Sequence, residues 1–224
     1  MRKFDYVMNA CGLKPGDRFL EVGPGWGAFG AHAAKHGVKM TGITNSAFSK
    51  DFLDKKAQRI GADWDIVLTD VLEYEPKQRF DAIVMMGVIE HLPDYAKVLE
   101  RFLRFVKPGG TVFLDGSAAT KKYELSSFMV KYIYPGNHSF LVLHDFLDKV
   151  AKTPFKIVEI HNDRDSYFYT FRQWATNFDR NRDEVVRRFG EHNFRRFRLY
   201  LWGSAYEFLS GSLDCYRIVM RSPQ

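Results

Sequence analysis

Glu21-Val22-Gly23-Pro24-Gly25-Trp26-Gly27 stands between an apolar run, Arg18-Phe19-Leu20-Glu21-Val22-Gly23, and a helical stretch from about Gly27 to His36. Three glycines at such a junction let the backbone turn tightly and approach a ligand closely, at the crevice beyond a strand's carboxyl end. Outward from this loop the chain alternates apolar runs with helical periods, the pattern of a parallel sheet covered on both faces. Val38–Thr44, Asp65–Thr69, Phe80–Met86 and Thr111–Leu114 read as further strands. Ser46 reads as the cap of a helix running to about Ile60, and Pro93 opens another that ends near Val106. Lys107-Pro108-Gly109-Gly110 reads as the turn before the fifth strand. Beyond it, residues 121–150 form a partly helical insertion interrupted at Pro135-Gly136. A sixth strand at Phe155–Ile160, helices at roughly 168–189 and 192–210, and a last strand at Cys215–Met220 complete the chain.

The 224 residues are 46% hydrophobic and 27% charged, which suits one domain with a full core and excludes wholesale disorder. No apolar run approaches the roughly 18 residues a membrane span needs. The start, Met1-Arg2-Lys3-Phe4-Asp5-Tyr6, lacks a signal peptide's apolar stretch. Cys11 and Cys215 alone make neither a disulfide framework nor a cysteine zinc site, and a metal is not expected. A reducing cytoplasm fits this cysteine usage. The net charge of +6 is unevenly spread: Arg164 to Gln224 holds 11 Arg, no Lys and 7 acids, with 14 of the 35 aromatic residues.

A glycine loop alone admits three readings: a plain turn, a dinucleotide-phosphate loop, or another nucleotide-type site. Dinucleotide enzymes close strand two with an acid, whereas this one closes in Thr44-Asn45. Glu21 directly before the loop, Asp70 after strand three, and Lys107-Pro108-Gly109-Gly110 before strand five together resemble class I S-adenosylmethionine-dependent methyltransferases. That resemblance implies a Rossmann-like α/β fold with a seven-stranded, mostly parallel sheet, helices on both faces and a helical insertion after strand five. It implies S-adenosyl-L-methionine as cofactor. Glu21, Gly23, Gly25, Trp26, Gly27, Thr44, Asn45, Asp70, Val71 and Met86 would form its site, with Asp70 accepting from the adenine amine.

A narrower likeness lies in Gly25-Trp26-Gly27, Gly42-Ile43-Thr44-Asn45-Ser46, Gly87-Val88-Ile89-Glu90-His91 and Lys131-Tyr132-Ile133-Tyr134-Pro135-Gly136. Tyr167-Phe168-Tyr169-Thr170 and Arg198-Leu199-Tyr200-Leu201-Trp202 add to it. From about residue 12 to 220 the chain resembles cyclopropane-fatty-acyl-phospholipid synthases, mycolic acid cyclopropane synthases included. The likeness implies transfer of a methyl or methylene group to an unsaturated lipid-like acceptor. It also implies a bound bicarbonate that accepts the released proton. Relatives that methylate small amines or fatty acids make an N- or C-methyltransferase the alternative, and a cofactor-binding subunit without chemistry is a third reading.

Methyl transfer from a sulfonium relies on alignment and electrostatics, but an alkene acceptor becomes a carbocation and needs a base. Glu90 and His91, just past strand four, lie where such a base would sit; otherwise Glu90 caps a helix and His91 is solvated. Tyr167 matches the family's site tyrosine, against a plain core role in its aromatic stretch. Three departures stand out. Asp115 replaces the family's bicarbonate-binding His and would repel an anion; Ser49 replaces a Gln; and the family's N-terminal lead-in has no visible counterpart. All three speak against bicarbonate.

The reading is therefore one methyltransferase domain, 1–224, with 116–150 and 164–210 covering the acceptor side. Its Arg-aromatic tail suits packing on the sheet, or peripheral contact with an anionic membrane at the inner face. Nucleic acid is the weaker partner, because no zinc knuckle or RNA-recognition motif accompanies the tail.

Overall fold

The computed structural model describes residues 2–123, 125–136 and 138–224; Met1 and, within the insertion, Glu124 and Asn137 lie outside the described residues. In chain order the elements are α1 Arg2–Cys11, β1 Arg18–Val22, α2 Ala28–Ala34, β2 Lys39–Thr44, α3 Ala47–Ile60, β3 Trp64–Leu68 and β4 Phe80–Met86. A 3-10 turn, Ile89–His91, precedes α4 Tyr95–Phe105 and β5 Val106–Ala118. Then follow α5 Ser127–Tyr132, α6 Leu143–Ala151, β6 Lys156–Asn162, α7 Arg164–Arg180, α8 Arg182–Ser210 and β7 Asp214–Arg221.

The seven strands run in the order β3-β2-β1-β4-β5-β7-β6. The first five are parallel, and β7 pairs antiparallel with both β5 and β6. Strand order reverses between β1 and β4, which opens a crevice at their carboxyl ends. Side chains alternate across the sheet with the period of two that a pleated strand imposes. Leu20, Ile83, Leu114 and Ile218 face a core closed by α4 and α6. Their neighbours Phe19, Val84, Phe113 and Val219 face a second core closed by α1, α2 and α3. Each such fully buried side chain is worth roughly 1.5–3 kcal/mol. A third, smaller cluster joins α7 and α8 to Cys215 of β7.

Local chemistry explains most boundaries. Ser46 accepts a hydrogen bond from the Ser49 N–H at 3.2 Å, so α3 starts where the sequence placed its cap. Asp94, rather than Pro93, caps α4 through the Lys97 N–H. Lys107–Gly110, read above as a turn, is instead part of β5, because Gly109 and Gly110 exchange backbone bonds with Pro223 and Ser222. The expected division of the tail into helices at roughly 168–189 and 192–210 falls where Gly190 leaves helical geometry, with φ 82° and ψ 156°. Asn181 is a slighter interruption, across which the Asn181 N–H still bonds the Asn177 carbonyl and the Val185 N–H the Asn181 carbonyl. Helix α1 was not foreseen, although Phe4, Val7, Met8 and Cys11 fall on one helical face. Among the described residues no helix is long and apolar enough to cross a membrane.

Candidate functional site

The parallel strands deliver the expected cofactor residues to one edge of the sheet. Gly23, at φ 68°, ends β1 with its N–H bonded to the Ile43 carbonyl at 2.9 Å. A Cβ there would lie 2.6 Å from Val88 Cγ2, so only glycine passes under the β4 loop. At Gly25, by contrast, a Cβ would meet nothing within 4 Å, leaving open space against bare backbone. Trp26 stays 57% exposed, its ring set edge-on against Phe48 and Phe52 of α3. Lys56 ties the loop down by donating to the carbonyls of Trp26 and Gly27 at 2.7 and 3.1 Å.

Beneath this loop Glu21 is 3% exposed, with one carboxylate oxygen lacking any partner. Burial pushes its pKa up to about 8, against the pull of Lys56. An orphaned carboxylate beside an open glycine loop is a receptor for a cationic or N–H donor group. Thr44 closes β2 with its hydroxyl accepting from the Ser46 N–H, and Asn45 beyond it is exposed. Asp70, exposed past β3, uses one carboxylate oxygen to cap the Leu72 N–H at 2.7 Å; Val71 beside it is buried. Met86 pairs with Asp115 across the ends of β4 and β5. These residues share one rim and fit an amino-acid-bearing nucleoside.

Across the crevice the 3-10 turn projects Glu90 inward, 6% exposed. One carboxylate oxygen accepts from the Ser117 N–H at 2.8 Å; the other has no partner. Burial outweighs that bond, the Asp115 charge adds to it, and the pKa rises to about 7. Asp115 accepts from the Gly87 N–H at 3.1 Å and meets Lys3 Nζ at 2.5 Å. Burial raises its pKa too, while Lys3 pulls it down. Tyr167 completes the group: burial, Asp115 and its hydrogen-bond partner Cys215 hold its hydroxyl protonated far above neutral pH. Glu90, Asp115, Lys3, Tyr167 and Cys215 therefore form one cluster, to which sequence reasoning contributed Glu90, Asp115 and Tyr167. Two buried carboxylates against one lysine make a poor seat for an anion, so bicarbonate does not fit these residues.

His91, on the same turn, is exposed, with its ring 4.8 Å from that of His138 and 6.0 Å from that of Tyr134. His138 is buried, stacked on Tyr134 at 4.2 Å, and neither ring nitrogen has a hydrogen-bond partner. Burial, then His91, lowers its pKa to about 4, so the ring is neutral near pH 7. The Tyr134 and Tyr200 hydroxyls bond at 2.8 Å, joining the insertion to α8. Beyond them opens a cavity of about 610 Å³ between α5 and the α7–α8 pair, reaching the crevice at Gly87 and Glu90. Phe171, Phe208 and Met129 line its apolar walls; Ser117, Ser204 and Glu207 make it partly polar. Sequence reasoning missed Lys3 and His138. The apolar spacing of residues 4–11 was a usable signal for Lys3, whereas nothing local marks His138. Among the described residues no group of three or more His, Cys, Asp and Glu is placed to hold a metal ion.

Similarity to known proteins gives the chain a family. The chain is 28% identical over 237 residues to a sphingolipid C9-methyltransferase of Komagataella phaffii, covering 98% of this chain and 48% of that protein. It is also 28% identical over 225 residues to the cyclopropane-fatty-acyl-phospholipid synthase of Escherichia coli K12, covering 97% of this chain and 56% of that one. The chain thus spans about half the length of the curated relatives it matches. The cyclopropane synthase MmaA2 of Mycobacterium tuberculosis superposes with a TM-score of 0.90 at 23% identity, covering 99% of this chain and 83% of that chain, which establishes the common fold. The model for mycolic acid cyclopropane synthetases matches residues 1–218. The chain belongs to the mycolic acid cyclopropane synthetase family.

Proposed function

We propose that this chain is an S-adenosylmethionine-dependent methyltransferase that adds a one-carbon group to an unsaturated, lipid-like acceptor. The observation that carries this reading is Glu90: a buried carboxylate with a free oxygen and a pKa of about 7, at the junction of crevice and cavity. In this reading Gly23, Gly25, Trp26, Gly27, Thr44, Asn45, Val71 and Met86 shape the cofactor site, Glu21 receives its cationic end, and Asp70 accepts from its adenine amine. When bound, the cofactor supplies an electrophilic methyl group. The chain's own residues do the rest. Glu90 accepts the proton that the alkylated acceptor must lose, Tyr167 orients the buried cluster, and His91 borders the cavity mouth. Phe171, Phe208 and Tyr200 exclude water and offer aromatic faces to positive charge. The whole chain acts as one methyltransferase domain, with 116–150 and 164–210 forming the acceptor side.

Support for a lipid acceptor comes from the relatives, whose names specify sphingolipid and fatty-acyl-phospholipid acceptors. Exposed aromatics and arginines on α7 and α8, such as Trp174, Phe189 and Arg188, fit peripheral contact with an anionic membrane face. A cytoplasmic site of action accords with that orientation. The partly polar cavity favours a second reading, a small amine methylated on nitrogen with Glu90 again as base. Incubation with methyl-labelled cofactor and a panel of unsaturated phospholipids and fatty acids decides between them. Label in the lipid fraction is expected, and an unlabelled panel overturns the lipid reading.

A further inference from the structure

A second hollow, about 1000 Å³, lies between α5 and the middle of α8. It meets the acceptor cavity at Phe128 and Leu199, which line both. Tyr132 and Trp202 add aromatic walls, and Arg195, Arg196 and Arg198 face it from α8. Charge pairing separates these arginines. Arg198 is neutralised by Asp179 at 2.8 Å, and Trp202 Nε1 donates to the same carboxylate at 3.0 Å. Glu191, the acid lining the hollow, is held by Arg182 at 2.8 Å. Arg195 has no ion pair or side-chain hydrogen bond among the described residues. Arg196 lies 5.4 Å from the Tyr132 ring centroid and contacts His192 at 3.1 Å, but meets no carboxylate, and its Nε is buried without a partner. Two guanidinium groups thus face one hollow uncompensated, while Arg187 on the first turns of α8 is paired with Glu184. A planar guanidinium with free N–H groups matches a phosphate or phosphonate oxygen pair, and lysine-type point charges match it less well.

We propose that this hollow is the head-group subsite of the acceptor: Arg195 and Arg196 bind a phosphate-type anion on an amphiphile whose apolar part enters the adjoining cavity. This rests on the lipid-acceptor reading and narrows it to anionic, phosphate-bearing acceptors. The continuity through Phe128 and Leu199 places the charged end outside the apolar walls and the chain toward Glu90. The aromatic walls, continuous with the apolar cavity, orient the molecule in one direction.

The test measures binding to the full chain, saturated with S-adenosylhomocysteine, of three monomeric probes. They are 1-oleoyl lysophosphatidate, 1-monooleoylglycerol with the same chain and no phosphate, and glycerol 3-phosphate with no chain. Lysophosphatidate is expected to bind about tenfold to a hundredfold more tightly than either other probe. In Arg195→Gln/Arg196→Gln its affinity should fall to that of monooleoylglycerol. Unchanged thermal stability and S-adenosylhomocysteine affinity verify that this variant is folded; Arg195→Lys/Arg196→Lys, which keeps charge without the fork, should recover part of the loss. Equal binding of the two oleoyl probes, indifferent to the substitutions, overturns the subsite and leaves the lipid reading intact. Glycerol 3-phosphate binding as tightly as lysophosphatidate marks a free-phosphate site and also overturns it. Binding of neither oleoyl probe removes the lipid reading and the subsite with it.

Discussion

Glu90→Gln keeps the side chain's shape and the oxygen that accepts the Ser117 N–H, and removes only the charge. Two consequences of opposite sign follow. The first is chemical. With the pKa raised from 4.5 to about 7, Glu90 is about one-tenth ionised at pH 6 and about nine-tenths at pH 8. Turnover by the unaltered chain should therefore rise nearly tenfold across that interval and level off above it. The glutamine variant, with no base, should lose roughly 10²–10⁴-fold at pH 8 and show no such rise with pH. The second is energetic. A carboxyl whose folded pKa is raised holds its proton more tightly in the folded state, so its stabilising contribution is complete below pH 4.5. That contribution is lost as pH rises through about 7. The shift corresponds to roughly 3 kcal/mol at pH 8 relative to pH 4.5. Glutamine never carries the charge. The variant should match the unaltered chain near pH 4.5 and melt higher at pH 8, by roughly 6–12 °C for a domain of this size. Thermal melts at pH 4.5, 6 and 8, beside initial rates of labelled methyl transfer, read both. A melting difference that does not grow with pH refutes the buried-charge argument. A variant retaining a tenth of the rate refutes the role as base.

Two further expectations concern the rest of the site. Turnover should agree within about twofold between carbonate-free buffer and buffer supplemented with bicarbonate, because Asp115 and Glu90 leave no seat for an anion beside Tyr167; a tenfold stimulation would refute this. Asp70→Asn keeps an oxygen to cap the Leu72 N–H, so its fold should be intact while S-adenosylhomocysteine binds about tenfold more weakly by calorimetry; unchanged affinity removes Asp70 from the cofactor site.

Local chemistry made much of this legible. Phe80–Met86 is a strand at both levels because seven apolar-rich residues bounded by polar ones have little alternative between covered faces. Ser46 announced α3, and the glycine spacing announced the crevice. What escaped detection depends on partners distant in sequence. Lys107–Gly110 carries every mark of a turn, yet the chain's last residues pair with it and draw it into β5. Asn181 interrupts the helix with no glycine or proline to mark the place, whereas Gly190, whose positive φ breaks α8, marks the gap expected between 189 and 192. His138 follows Pro135-Gly136 in a stretch with no periodicity, and only the fold brings it beneath Tyr134. Lys3 becomes meaningful once α1 lies against β5 and Asp115 is known to be buried.

That last contact explains how two neighbouring buried carboxylates divide their roles. Burial raises the pKa of both. Asp115 has an ammonium at 2.5 Å and a backbone N–H at 3.1 Å, so its negative charge is the better compensated. Glu90 has one backbone N–H and an unpartnered oxygen, so the shared repulsion is relieved by protonating Glu90 first. Environments that separate two nearby carboxyls in this way assign the fixed charge to one and the mobile proton to the other. The buried charge of Asp115 is therefore coherent with its partner Lys3. The cluster keeps a carboxylate poised near neutral pH, and that carboxylate belongs to the chain itself.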